Sequence, residues 1–204
     1  MGQGLQERHE ERSDIYMSTP AAATGQLIVV AGPSGVGKGT LLAHLRDRHP
    51  DLRVSISATT RQPRPGEVDG QHYYFVSRAK FEEMIAQGEL LEWAEFAQNY
   101  YGTPKRPIKE AIAAGERIVL EIELIGARQI RESFPEAKQI FVLPPSVAAL
   151  EARIRSRGQD NEPAIARRLA QSKVELAAAD EFDYQIVNDS LETALKDLEI
   201  ALFS

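Results

Sequence analysis

The chain has no cysteine, which excludes a disulfide framework and any thiolate metal site and suits a cytoplasmic protein. No run comes near the roughly twenty consecutive apolar residues that a membrane span needs. The first sixteen residues are rich in Glu, Arg and Gln and lack an apolar centre, so they do not form a secretory signal. Gln6 stands where myristoylation calls for Ser or Thr. Aromatic residues make up only 7% of the chain, with a single Trp. An excess of positive charge is missing as well. With 24 basic and 30 acidic residues the net charge is −6, which argues against a general nucleic-acid binder and makes any basic site a local one.

What is present suits one ordinary domain: 204 residues, 43% hydrophobic, enough to bury a core. Residues 1–24 are polar, then small and turn-forming (MSTPAAAT from Met17). They read as a disordered leader, with Met17 a second candidate start. Beyond them, apolar runs at Leu27–Ala31, Val54–Ala58, Ile118–Leu124, Gln139–Leu143 and Tyr184–Val187 alternate with helical patterns. That alternation predicts an α/β fold whose five-stranded parallel sheet is covered on both faces. The expected helices include Gly39–Arg48, Gly126–Phe134 and Ser146–Ser156, the last with Val147, Leu150 and Ile154 on one face. Asp189 and Glu192 read as a capping pair for the final helix. Its Leu191, Leu195, Leu198 and Leu202 form a stripe, read as core rather than as a coiled-coil seam, and the oligomeric state is left open. Residues 59–103 break the rhythm, with a helix expected near Arg78–Gln87 and strands near Tyr73–Val76 and Leu90–Phe96. They read as an inserted subdomain between core segments 25–58 and 104–204.

The strongest motif is Gly32, Pro33, Ser34, Gly35, Val36, Gly37, Lys38, Gly39 and Thr40, directly after a strand and before a helix. Glycines let successive N–H groups wrap a phosphate, the helix N-terminus adds partial positive charge, and Lys38 reaches the β and γ oxygens. One position departs from the general pattern. Gly39 follows the lysine where a Ser or Thr commonly serves magnesium, and the first hydroxyl is on Thr40. Thr40 is thus either a Mg²⁺ ligand or an ordinary helix residue.

With the loop, the segment Ser57-Ala58-Thr59-Thr60-Arg61-Gln62-Pro63-Arg64-Pro65-Gly66-Glu67 and the stretch Glu92-Trp93-Ala94-Glu95-Phe96, the chain resembles guanylate kinase. The resemblance runs from about residue 25 to the C-terminus, through Tyr100-Tyr101-Gly102-Thr103, Arg157-Gly158 and Ile186-Val187-Asn188-Asp189. It implies a P-loop nucleoside monophosphate kinase that moves the γ-phosphoryl of ATP to GMP with Mg²⁺, giving ADP and GDP in guanine nucleotide recycling and GTP supply. dGMP is an expected second acceptor. Lys38, Arg61, Arg153, Arg157 and Arg168 would be catalytic, and the loop with Asn188 would hold ATP. The GMP side would comprise Ser57, Arg61, Arg64, Tyr73, Glu92, Tyr101, Thr103, Glu121 and Glu123. Residues 157–163 would form a lid.

The chemistry of these side chains fits those roles. A nucleoside monophosphate carries close to two negative charges, its second pKa being about 6. Arg61 and Arg64 offer permanently charged forks, and Tyr73 and Tyr101 offer neutral donors. Guanine presents N1–H and N2–H donors beside the O6 acceptor. Glu92 can accept from both donors, and the Ser57 and Thr103 hydroxyls can donate to O6. Glu121 and Glu123 stand where the family often has aspartate, and Ile125 where many relatives have glutamine. Two rivals remain: a kinase of the same scaffold acting on another phosphate acceptor, and a non-catalytic peptide-binding module of guanylate-kinase type. Ser57 and Glu92 oppose the first, and Lys38 with the full arginine set opposes the second.

Overall fold

In a computed structural model the chain is described over residues 25–96, 98–156 and 161–204. The expected leader, and Arg157 with the first part of the expected lid, lie outside the described residues. The main sheet has the order β2-β7-β1-β8-β9, formed by β1 (Gln26–Ala31), β2 (Arg53–Val54), β7 (Arg117–Glu121), β8 (Lys138–Leu143) and β9 (Tyr184–Val187). Every pairing in it is parallel. β1 is central, pairing Ile28 with Val119 on one side and Lys138 on the other. Its continuous apolar sequence follows from that place, since both faces are covered.

Alternate residues of β1 feed two cores. Ile28 and Val30 pack with Leu41 and Leu45 of α1 (Lys38–Arg48), Leu150 and Ile154 of α5 (Val147–Ser156), Ile165 of α6 (Glu162–Ala177), and Leu195, Leu198 and Leu202 of α7 (Leu191–Phe203). Leu27, Val29 and Ala31 pack on the other face with Ile108 of α3 (Lys105–Ala113) and with Leu124 and Ile130 of α4 (Leu124–Ser133). No described helix is long and apolar enough to cross a membrane.

A second sheet, of order β4-β3-β6-β5, is built from β3 (Ala58–Thr59), β4 (Tyr74–Phe75), β5 (Leu90–Phe96) and β6 (Asn99–Pro104). α2 (Arg78–Ala86) covers it through Phe81 and Met84, and the Ser77 hydroxyl caps α2 by accepting from Lys80 N.

Several expectations change. The strand expected over Val54–Ala58 is split: Arg53–Val54 belongs to the main sheet and Ala58–Thr59 to the second, the chain crossing between them at Ser55–Ser57. The strand expected to reach Leu124 ends at Glu121, and Leu124 instead opens α4 and is buried there. Glu123 is therefore the residue capping α4 by position rather than a strand residue. The cap of α7 is Ser190, which accepts from Thr193 N, and not the Asp189–Glu192 pair. Val147 and Leu191 lie at helix starts and stay exposed, at 46% and 39%.

Candidate active site

The phosphate loop leaves the C-terminal end of β1, where ligands of open α/β sheets gather. Its glycines answer specific demands. Gly32 has φ 148°, and a side chain there would meet the Val142 carbonyl at 2.5 Å. Gly37 has φ 105°, and a Cβ would stand 2.6 Å from Asn188 Nδ2. Asn188 fills that space deliberately: buried, it donates to the Val36 carbonyl at 2.8 Å. Arg153 donates to the same carbonyl at 3.0 Å and to the Asn188 carbonyl at 2.9 Å. From α6, Arg168 donates to Ser34 Oγ at 3.1 Å. These three residues thus grip the outside of the loop and fix its curvature.

Lys38, the first residue of α1, is only 8% exposed. Its ammonium donates to the Gly32 carbonyl at 2.6 Å, so the cation is folded back across the loop. Glu121 ends β7 close by; its carboxylate oxygens lie 3.5 Å from where a Gly39 side chain would begin. Thr40, in the first turn of α1, is exposed.

A second polar site sits in the second sheet. Arg61 is held by Glu67 through two bonds of 2.9 and 2.8 Å, and Glu67 also accepts from Arg64 N at 2.7 Å. The Arg61 guanidinium lies 5.4 Å from the centre of the Tyr73 ring, and Tyr73 meets Tyr101 edge-on at 6.2 Å. Burial pushes the Tyr73 hydroxyl up, keeping it a neutral donor. Arg61, Tyr73 and Tyr101 are therefore brought together, with the Glu67 carboxylate engaging the Arg61 fork. Ser57 lies in the crossing segment at the edge of this sheet, its carbonyl accepting from Tyr74 N. Arg64 stands exposed at the rim.

Glu92 is the most unusual group. It is 5% exposed, and its Oε1 accepts from the Thr103 hydroxyl at 2.6 Å. Burial pushes its carboxyl up to about 7, against the lowering pull of Thr103. Thr103, itself fully buried, thus addresses the carboxylate of Glu92. A second raised carboxyl belongs to Glu175 on α6. It is buried, pushed up to about 7 by burial and by Glu123, and drawn down by Lys38. Its Oε2 has no hydrogen-bond partner among the described residues.

Glu67 stands in the segment that carries the resemblance but has no role assigned there, and Glu175 and Gln129, which ties β5 to α4, are not marked by any motif. For Glu175 a signal existed: Ile165, Leu169, Ser172 and Glu175 follow helical spacing on one face.

A family model for guanylate kinase matches residues 24–204. A curated guanylate kinase from Thermosynechococcus vestitus is 64% identical over 188 residues, 92% of this chain and 98% of that protein. Another, from Nostoc sp., is 66% identical over 180 residues, 88% of this chain and 90% of its own. The crystal structure of guanylate kinase from Anaplasma phagocytophilum matches with a TM-score of 0.70 at 29% identity, covering 89% of this chain and 88% of that one. On sequence over nearly the whole described domain and on fold alike, the chain belongs to the guanylate kinase family.

Proposed function

We propose that the protein transfers the γ-phosphoryl group of ATP to GMP, giving ADP and GDP. The observation that carries this reading is the buried Glu92 carboxylate on the same side of the fold as a built phosphate loop. A carboxylate held out of water needs paired donors, and the N1–H and N2–H edge of guanine supplies two. Adenine, with an acceptor at N1, would face it repulsively. Ser57 completes the base side from the crossing segment. Arg61, Arg64, Tyr73 and Tyr101 take the acceptor phosphate, which displaces Glu67 from the Arg61 fork. dGMP, which shares the guanine edge and the phosphate, is a second acceptor on this reading.

On the donor side the loop from Gly32 to Thr40 cradles the ATP phosphates, and Lys38 turns from the Gly32 carbonyl to them. Arg153 and Asn188 keep the loop in shape. Arg168, with Arg157 from the lid, brings positive charge to the transferring group. A phosphate oxygen of GMP, already ionised, attacks the γ-phosphorus while its bond to the β–γ bridging oxygen breaks. No general base is required, and catalysis consists of alignment, charge neutralisation and exclusion of water. Magnesium fits the hard oxygen donors at the loop, the Glu121 carboxylate beside Gly39 and the Thr40 hydroxyl, and such an ion is held largely by phosphates and water. Glu121 and Thr40, flanking Gly39, would contribute from the protein side. The ion would neutralise charge on the β and γ oxygens. The cysteine-free composition fits action in the cytoplasm.

The test is a coupled ADP-release assay over GMP, dGMP, AMP, CMP and UMP. Turnover with GMP and dGMP, and little with the others, is expected; equal turnover of AMP would overturn the base assignment.

A further inference from the structure

Glu92 owes its position to more than its own strand. The β5–β6 ladder is irregular there: Leu90 pairs with Pro104 and Glu92 with the neighbouring Thr103. Such a bulge re-aims a side chain, and the strand buries Glu92 while its neighbour Trp93 is exposed. Thr103 fixes Oε1. The other oxygen lies against the first turn of α4, at Gly126. A Cβ built on Gly126 would stand 2.5 Å from Glu92 Oε2 and 3.0 Å from Cδ. Gly126 is a buried, ordinary helical residue whose φ is not positive, so no backbone demand explains it. Inside a helix glycine is destabilising relative to alanine.

We infer that Gly126 is a specificity-determining positioning residue, its missing side chain being the notch that seats the Glu92 carboxylate where it meets the acceptor base. The inference rests on the proposed role of Glu92. Two movements would relieve a methyl group at 126: withdrawal of α4 from β5, or displacement of the carboxylate. The first is resisted by Gln129, whose Nε2 donates to the Trp93 carbonyl at 2.7 Å and whose Oε1 accepts from Trp93 N at 3.1 Å. The second moves only the far end of a flexible side chain. A methyl at 126 therefore leaves the fold intact and drives Glu92 off Thr103 and out of register with the base.

The experiment is a double-mutant cycle of Gly126→Ala and Glu92→Ala in the full chain, with steady-state kinetics for both substrates and thermal melts. Gly126→Ala should raise KM for GMP by about tenfold to a hundredfold, the upper figure being the scale of a 1 Å misplacement, with KM for ATP within about twofold and the melting temperature close to that of the wild type. In the Glu92→Ala background it should add nothing to the GMP defect, because the clashing group is gone. An insoluble Gly126→Ala whose double mutant folds would support the same clash. An unchanged KM for GMP in Gly126→Ala, an equal further loss in the Glu92→Ala background, or a double mutant that also fails to fold would each overturn the notch. Should Glu92→Ala itself leave KM for GMP unchanged, the base-reading role of Glu92 would fall instead.

Discussion

The two polar sites of this molecule are built by opposite means. The phosphate loop stands on the main sheet, between two large apolar cores, and its curvature is held from outside by Arg153, Asn188 and Arg168. The acceptor site stands on a second sheet whose own buried apolar cluster, among the described residues, is Ala58, Phe81, Met84 and Leu90. There the key cation, Arg61, is engaged by an internal anion, Glu67. On the proposed reading, Lys38 and Arg168 turn from loop oxygens toward the donor phosphates, whereas at the second site the ligand displaces a two-bond ion pair. Small-core elements sit at the low end of local stability, which is where closing parts belong. The comparison teaches that the loop is held in shape from outside, whereas the second site is held by an ion pair within it. On the proposed reading the donor side is preorganised and the acceptor side assembled by its ligand.

The sharpest way to break this picture is at the preorganised side. Lys38→Ala removes one fixed charge from the phosphoryl group and should lower kcat by about a hundredfold or more, as measured by ADP release at saturating substrates. A mutant with unchanged kcat would remove the loop from the chemistry.

A smaller loss is expected on the acceptor side from Glu92→Gln. The shape is kept, but one acceptor oxygen becomes a donor amide facing a guanine donor, and a charge-assisted bond is lost. At roughly 1.5–3 kcal/mol for such a bond, kcat/KM for GMP should fall at least about tenfold, while KM for ATP stays constant. Equal losses for GMP and AMP would show that the side chain does not read the base.

Which parts were legible beforehand follows the same division. β8, β9, α1, β5 and the loop were read nearly to their ends because continuous apolar runs or helical spacing mark them. β6 and α3 were not: Asn99–Pro104 (NYYGTP) contains Gly and Pro, and Lys105–Ala113 carries Pro107 in its first turn. Arg153 could be read as an arginine near the phosphates, but its grip on Val36 and Asn188 depends on three segments meeting in space. Likewise Thr103 reads as a hydroxyl for guanine O6, while its bond to Glu92 depends on a bulged ladder that the pattern LLEWAEF does not reveal.

The acceptor comparison can also be sharpened by pH. Burial holds the Glu92 carboxyl up to about 7, yet only the ionised form accepts from both guanine donors. As pH falls from 8 to 6 the ionised share drops about tenfold for a group titrating near 7, so KM for GMP should rise by several-fold. GMP's own phosphate, titrating near 6, adds to this only at the acid end. Glu92→Gln should show the shallower profile that remains, and KM for ATP should follow neither. A wild-type profile identical to that of Glu92→Gln would mean that Glu92 is ionised throughout this range, or silent.

The smallest effect is expected at Glu175, behind the preorganised site, and it is read in stability. Its carboxyl is buried beside Glu123 with one oxygen unpaired among the described residues, and it titrates near 7 instead of at the ordinary 4.5. The native state thus holds a proton that the unfolded chain releases between about pH 4.5 and pH 7. Below that window both states are protonated and the group is neutral in its effect. Through it the native state binds more protons than the unfolded one, so stability falls as pH rises, and above pH 7 the full penalty of a buried charge is present. Glu175→Gln removes the titration and keeps the shape. Its melting temperature relative to wild type should therefore become more favourable by a few degrees between pH 5 and pH 8. Lys38 works against this by attracting the ionised carboxylate, so the gain should be larger in a Lys38→Ala background, where that compensation is gone. A difference in melting temperature that stays flat from pH 5 to pH 8 would mean that Glu175 keeps its charge in the folded protein. The phosphate lysine would then have a standing counter-ion, and part of the donor site's preorganisation would come from that pair rather than from the loop alone.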